Sequence, residues 1–347
     1  MTKKSRIASA AAAVAALIAL AGCAGGSGGG EDGTLVYVSY GGAFQDAQAQ
    51  AWQEGYTEET GTAFENTSPS DMAQIRAMVD AGATSWDVVD TNAYFPNQFC
   101  GKYFEKIDLS GIDTSQFEEG SVSDCAVPAE RFALLLVYNT DTYGDNPPTS
   151  LADFLDTAKF PGQRATTREV STGLLESILI ADGVAPADLY PLDLDRAFAA
   201  LDTIRSQTTF AENNGALQQL VSDGQADMAL VVSARALTIA RDDVPIEPVW
   251  GTTVTTFNSL TIPKGAPNVE GAQKFIAYAT QPEQSAKFAE LSGTSPANVE
   301  AQPAYDDLAE KFNAFAEGRT TTVQLDAKWW SQNVADVQSR FTTWLAG

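Results

Sequence analysis

Histidine is absent from all 347 residues. Without imidazole, Ser-His-Asp and Cys-His nucleophile systems cannot be assembled, and histidine-based metal hydrolases are excluded with them. Cysteine is nearly absent as well: Cys23, Cys100 and Cys125 are the three present, too few for a closed tetrahedral zinc set when no histidine can help. Positive charge is scarce. Twenty-one Lys and Arg stand against 45 Asp and Glu, a formal net charge of −24, and a surface of that sign repels nucleic acid. The chain contains no P-loop, no G-x-S-x-G elbow and no EF-hand pattern. No repeat of useful period occurs either, which argues against solenoid or adhesive architectures. No motif calls for a cofactor or a metal.

The N-terminus carries the first positive signal. Lys3, Lys4 and Arg6 precede an apolar, alanine-rich run from Ile7 to Leu20, the pattern of a secretion signal over residues 1–22. A permanent span would need about 20 strongly apolar residues. Leu20-Ala21-Gly22-Cys23 resembles the lipobox of bacterial lipoproteins, in which the cysteine is acylated and becomes the new N-terminus. The expectation is therefore an extracytoplasmic protein anchored to the cell membrane through lipidated Cys23, since acyl chains bind bilayers in proportion to their buried CH₂ groups. Residues 23–33 hold that cysteine and a glycine- and serine-rich flexible tether. Gly26, Gly28 and Gly30 follow no strand, so a dinucleotide-binding loop does not fit. Export leaves Cys100 and Cys125 where disulfides persist, and one bridge between them is the simplest state, contributing roughly 3 to 4 kcal/mol in the chain-entropy picture.

About 315 residues follow the tether, more than one hydrophobic core usually serves, so two lobes are expected. Apolar runs of strand length alternate with helical patterns, the signature of α/β construction. Strands are predicted at 35–39, 86–90, 132–139, 226–233 and 259–263. After the first of them, Gly41-Gly42 turns the chain into a helical segment with Phe44, Ala47, Ala51 and Trp52 on one face, and ligands tend to bind at such strand-to-helix turns. Asn268 opens a helix with Val269, Ala272, Phe275, Ile276 and Ala279 in a stripe, and Gln281-Pro282 opens the next. Trp330, Val334, Val337, Phe341 and Trp344 make the clearest stripe, and its spacing assigns these tryptophans to core packing of a terminal helix.

Paired carboxylates could still run glycoside hydrolysis. The acids at Asp108, Glu118, Glu119 and Asp242-Asp243 fall in turns or on polar helix faces, where solvated surface is the default. A secreted carboxylate-pair glycosidase is thus the enzymatic alternative to a non-enzymatic binding protein.

Five segments occur in order along the chain: Ser39-Tyr40-Gly41-Gly42-Ala43-Phe44, Trp86-Asp87-Val88-Val89-Asp90, Tyr138-Asn139-Thr140-Asp141, Asp223-Gly224-Gln225-Ala226-Asp227-Met228-Ala229 and Ile262-Pro263-Lys264-Gly265-Ala266-Pro267-Asn268. Together they resemble the extracellular solute-binding proteins of ABC transporters, in the spermidine/putrescine-binding-like branch. The resemblance implies a two-lobed periplasmic-binding-protein fold with the ligand cleft between lobes that close by hinge motion. Its pattern places 34–136 plus 257–300 in lobe one, 137–256 plus 301–347 in lobe two with the C-terminal helices, and a hinge crossing at Tyr138 to Asp141. It also implies a monomer that binds a small solute and delivers it to a cognate ABC permease.

Carried over residue by residue, the resemblance matches Tyr40 to the aromatic that stacks on ligand, with Gly41 and Gly42 in the same turn, and Asn92 and Tyr94 to the polar residue and tyrosine of the second loop. The acids that hold polyamine ammonium groups are missing: Asn258 stands at one such place, and Ser171-Thr172-Gly173 replaces the acidic pair expected in lobe two. Thr256 and Val232 stand where polyamine binders carry tryptophan. Arg235 falls where non-polyamine relatives have a Gly-Arg, and its planar fork suits a carboxylate. Ser171, Thr172 and Gly173 precede a helix and either offer it to an anion or simply cap it. The expected ligand bears a carboxylate, as an amino acid or an opine-like compound does, with a true spermidine or putrescine ligand as the alternative.

Overall fold

The computed structural model describes residues 33–92 and 94–347; the leader and Cys23 lie outside the described residues. Eleven strands form one sheet: β1 Leu35–Val38, β2 Phe64–Thr67, β3 Val88–Asn92, β4 Val127–Asn139, β5 Arg164–Thr167, β6 Thr208–Ala211, β7 Met228–Val232, β8 Ile246–Pro248, β9 Thr252–Thr261, β10 Ser295–Pro296 and β11 Thr321–Gln324. The main path runs β2-β1-β3-β9-β4-β7-β5-β6, while β8 and β10 add to β4 and β11 adds to β9.

The two ends of that path are built alike. At one end β2, β1 and β3 are parallel, and at the other β7, β5 and β6 are parallel. Between them β4 and β9 run antiparallel to each other and to their neighbours β7 and β3. Parallel neighbours require crossover helices, which cover both faces of a sheet and bury its strands. The unbroken apolar run of β7, Met-Ala-Leu-Val-Val, is buried throughout.

The middle strands explain how one sheet serves two cores. Val127 to Leu134 of β4 pair with β9, whose other edge from Asn258 to Thr261 pairs with β3. Leu134 to Tyr138 pair with β7. Thus β4 passes without a break from one core, which takes Val127 and Ala129, to another, which takes Leu134 and Leu136. One core gathers Tyr37, Trp52, Phe275, Ile276 and Phe288; another gathers Leu134, Leu174, Leu201, Trp330 and Phe341. At the segment Tyr138 to Asp141, Tyr138 pairs with Met228 and Glu247, and the Asn139 side chain caps the turn Thr140–Tyr143. Strand β4 begins at Val127, five residues before the predicted strand.

The predicted stripes hold their places. The helices Val269–Ala279 and Pro282–Ser292 cover the first core, and Ala327–Ala346 buries Trp330, Val334, Val337 and Phe341 in the second. Cys100 and Cys125 form a disulfide with Cα atoms 5.6 Å apart.

Candidate functional site

Each parallel unit turns the C-terminal ends of its strands toward the join, and the loops leaving those ends meet there. Past β1 come Tyr40, Gly41 and Gly42; at and past β3 come Asn92 and Tyr94. From the other unit, β5 leads to Glu169, Ser171 and Thr172, β6 to Asn213–Gly215, and β7 to Ala234 and Arg235. Phe132 of β4 and Thr256 and Asn258 of β9 form the floor between them. The result is a cavity of about 410 Å³, placed where open α/β sheets hold ligands, at the carboxyl ends of strands.

Backbone shape determines much of the near wall. Gly41 and Gly42 adopt φ of 74° and 61°, where a side chain would be strained. The Gly41 N–H donates to Gln45 Oε1 at 3.1 Å, and the Gln45 amide donates to the Thr67 carbonyl at 3.0 Å, tying the turn to β2. A Cβ on Gly42 would lie 3.9 Å from Arg235 Nη1, so the two walls approach closely here. Tyr40 is braced edge-on by Phe44, with ring centroids 6.0 Å apart. Tyr94 is fully buried, and its ring lies 6.1 Å from Trp330 of the terminal helix. Burial pushes the Tyr94 hydroxyl well above its ordinary range, an effect that the Glu169 charge reinforces and a hydrogen bond with Ser171 opposes.

The opposite wall carries two charges that have no ion-pair partner among the described residues. The Arg235 guanidinium makes one long bond, Nη1 to Gln218 Oε1 at 3.4 Å, and burial alone pulls its pKa down. Burial alone pushes the Glu169 carboxyl up. Desolvating a charge with no counter-charge is costly, so each group is set to gain from an ion that enters the cavity. Helices Asn214–Ser222 and Ser233–Arg241 also begin at this wall, and helix N-termini present free N–H groups and positive potential.

All the ligand-contact residues expected from sequence line the cavity except Gly173. Gly173 has φ 103°, and a Cβ there would meet Val254 Cγ1 at 2.6 Å; it is needed for close packing behind the wall. The helix Leu174–Ala181 has no side-chain cap, so Ser171 and Thr172 do not serve as ordinary caps. The Thr172 hydroxyl donates to the Glu169 carbonyl at 3.0 Å. Sequence reasoning missed Glu169, which sits two residues before the stretch taken to replace the family's acids. It also missed Asn213 to Gly215. Position at the end of a parallel strand is the signal common to both, but β5 and β6 were not predicted.

Residues 51–317 match the family model of the bacterial extracellular solute-binding proteins. The chain is 29% identical to the gamma-aminobutyric acid-binding protein of Pseudomonas aeruginosa over 90% of this chain and 91% of that one. Among solved structures it is similar to the Atu4243-GABA receptor, with 35% identity, TM-score 0.82, and 90% and 97% of the two chains covered. It is also similar to the periplasmic binding protein AgtB of A. tumefaciens R10 in complex with agropinic acid, with 29% identity, TM-score 0.81, and 91% and 99% covered. The polyamine-binding-like label is therefore an approximate subtype, for these relatives are named for GABA and an opine. With two parallel units around a shared cleft and a family match over most of its length, the chain belongs to the bacterial extracellular solute-binding proteins, the two-lobed α/β receptors of ABC importers.

Proposed function

We propose that this receptor captures a small zwitterion, an amino acid or opine-like compound whose carboxylate and ammonium are held at separate places in one cleft. The observation that carries this reading is the pair of uncompensated opposite charges, Arg235 and Glu169, lining a single cavity of about 410 Å³. Arginine offers a carboxylate two parallel N–H donors, and the helix starts at Asn214 and Ser233 add positive potential on the same wall. Glu169, with Tyr40 and Tyr94 nearby, suits an ammonium group, because aromatic faces attract cations as well. A polyamine has no use for Arg235. That Glu169 is the one carboxylate lining the cleft among the described residues also counts against a glycosidase, which needs two.

In this reading the lobes divide inside β4 and β9, near 131–133 and 254–257. Lobe one comprises 34 to about 131 plus 257–300, and lobe two the rest with the C-terminal helices. Tyr40, Gly41, Gly42, Asn92, Tyr94 and Asn258 then face Ser171, Thr172, Glu169 and Arg235 across the cleft. The receptor works as a monomer, carries out no chemistry on its solute, and is held outside the cytoplasm on the cell membrane by lipid on Cys23 while it serves its permease.

Thermal unfolding against a panel of ω-amino acids, opines, putrescine, spermidine and dicarboxylates tests the reading. A zwitterion at 100 times its Kd adds about 2.7 kcal/mol of stability, an increase in Tm of roughly 5–10 °C at 2–4 °C per kcal/mol. Stabilisation by polyamines alone would overturn it.

A further inference from the structure

Behind the cleft floor lies a second, closed cluster of polar groups. Asp90 on β3 and Glu130 on β4 are both fully buried, and strand pairing places them on one face of the sheet: Asn92 and Glu130 both lie opposite Asn258 of β9, and Asp90 is two residues from Asn92. One oxygen of each is occupied. Asp90 Oδ2 accepts from Gln48 Nε2 at 2.5 Å and from Ser39 Oγ at 3.4 Å, and Glu130 Oε1 accepts from Asn258 Nδ2 at 2.9 Å. The other oxygens, Asp90 Oδ1 and Glu130 Oε2, are buried without a partner, as is the Tyr37 hydroxyl.

No Lys or Arg reaches either carboxyl among the described residues. The titratable groups that face the pair are Tyr37 and Tyr40 from β1 and the turn after it; Gln48 and Ser39 are neutral, and Arg235 and Glu169 stand across the cleft. Two buried carboxylates that feel each other's charge and have no counter-ion do not both stay ionised. One proton held by the pair leaves a single negative charge. Burial, with Asp90 as the second cause, pushes Glu130 well up, and burial raises Asp90 to about 7. The cluster touches the site through two short links. Ser39 holds Asp90 and is followed by Tyr40, whose hydroxyl feels the Asp90 charge; Glu130 accepts from the side-chain amide of Asn258, which lines the cleft.

We propose that the Asp90–Glu130 pair is a charge-sensing subsite beneath the cleft, which holds one proton and one negative charge in the empty receptor and releases that proton to solvent when the cationic end of a ligand settles over Tyr40 and Asn258. The proposal rests on the zwitterion reading above. No bond other than O–H is broken: the singly protonated, singly negative pair becomes doubly ionised with the cationic group as its counter-charge, and the proton goes to buffer. The pair thereby favours ligands with a positive end over plain carboxylates, although neither acid touches the ligand.

The experiment is calorimetric titration of the purified protein with γ-aminobutyrate and with butyrate near pH 7, in two buffers of different ionisation enthalpy. The expected result is net proton release with γ-aminobutyrate, affinity that increases as pH rises through 7, and loss of both in Asp90→Asn, together with at least a tenfold narrower preference for γ-aminobutyrate over butyrate. A second measurement needs no ligand: stability of the empty protein should decline as pH rises from about 4 toward 7, because the fold binds protons that the unfolded chain has released, and Glu130→Gln should flatten that decline. Buffer-independent binding of γ-aminobutyrate with an unchanged pH profile in the variants would overturn the subsite. Absence of binding by γ-aminobutyrate, with the stability slope present, would instead overturn the zwitterion reading and with it the ligand coupling.

Discussion

Arg235 and Glu169 show how much of a binding site one residue can carry and how unequally the sequence reveals such residues. Arg235 follows a legible apolar strand and enters the cleft in the first turn of the next helix. Its removal should cost the carboxylate its charge-assisted bonds, worth about 1.5–3 kcal/mol or roughly 10- to 150-fold in Kd. Arg235→Ala, measured by calorimetry with the best zwitterion of the panel, should show that loss with Tm nearly unchanged; an unaltered Kd would remove Arg235 from the site. Glu169 was illegible because it follows Arg168 in a polar stretch that reads as an exposed ion pair. Only β5 beneath it, four residues with two threonines, reveals that the position ends a parallel strand. Gly173 teaches the opposite lesson. It belongs to a segment correctly placed at the cleft, yet its own role is to admit Val254, so Gly173→Ala should destabilise by about 1–3 kcal/mol in a denaturant titration, without removing any group that faces ligand.

Elements were legible in proportion to how local their signal is. A helix stripe repeats within one stretch of chain, so the helices after Asn268, Gln281 and Asp326 could be read directly. The first half of β4 could not, since Val127-Pro128-Ala129-Glu130-Arg131 contains a proline and two charges, and its burial depends on Asn258 and Asp90 from other strands. The terminal helix does more than cover a core. Trp330 Nε1 donates to Glu176 Oε1 at 2.8 Å, the Tyr190 hydroxyl donates to the same oxygen at 2.6 Å, and Tyr94 packs on the indole from the cleft side. Trp330→Phe would keep most of the apolar contact but leave the buried carboxyl of Glu176 with one donor fewer. The expected cost is about 1–3 kcal/mol of stability, accompanied by weaker ligand binding because Tyr94 loses its backing. Thermal unfolding and calorimetry on the same sample check both effects, and a loss of stability with Kd intact would separate the helix from the site.

At the scale of the whole molecule, the long strands β4 and β9 run between the two parallel units, and loops of both units line one cavity. That arrangement predicts where closure is most easily disturbed. Gly293 ends the helix Pro282–Ser292 with φ 71°, and a Cβ there would clash with Leu237 Cδ2 on the helix Ser233–Arg241. Thr294, the next residue, lines the cavity. In the proposed division Gly293 and Leu237 belong to opposite lobes, so Gly293→Ala must either shift Leu237 or hold the lobes apart. Apparent affinity scales with the population of the binding-competent state, so the substitution should raise Kd about tenfold while the binding groups stay intact. Part of the damage will be backbone strain at a left-handed position, on the order of 1 kcal/mol, and this appears equally in the empty protein's Tm. Small-angle scattering separates the two effects. Saturating ligand should contract the native receptor, and the variant should remain larger at the same occupancy if the side chain blocks closure. Equal contraction in both proteins, with only Tm lowered, would mean that Gly293 serves its helix alone and that the lobes close by a path which does not compress this contact.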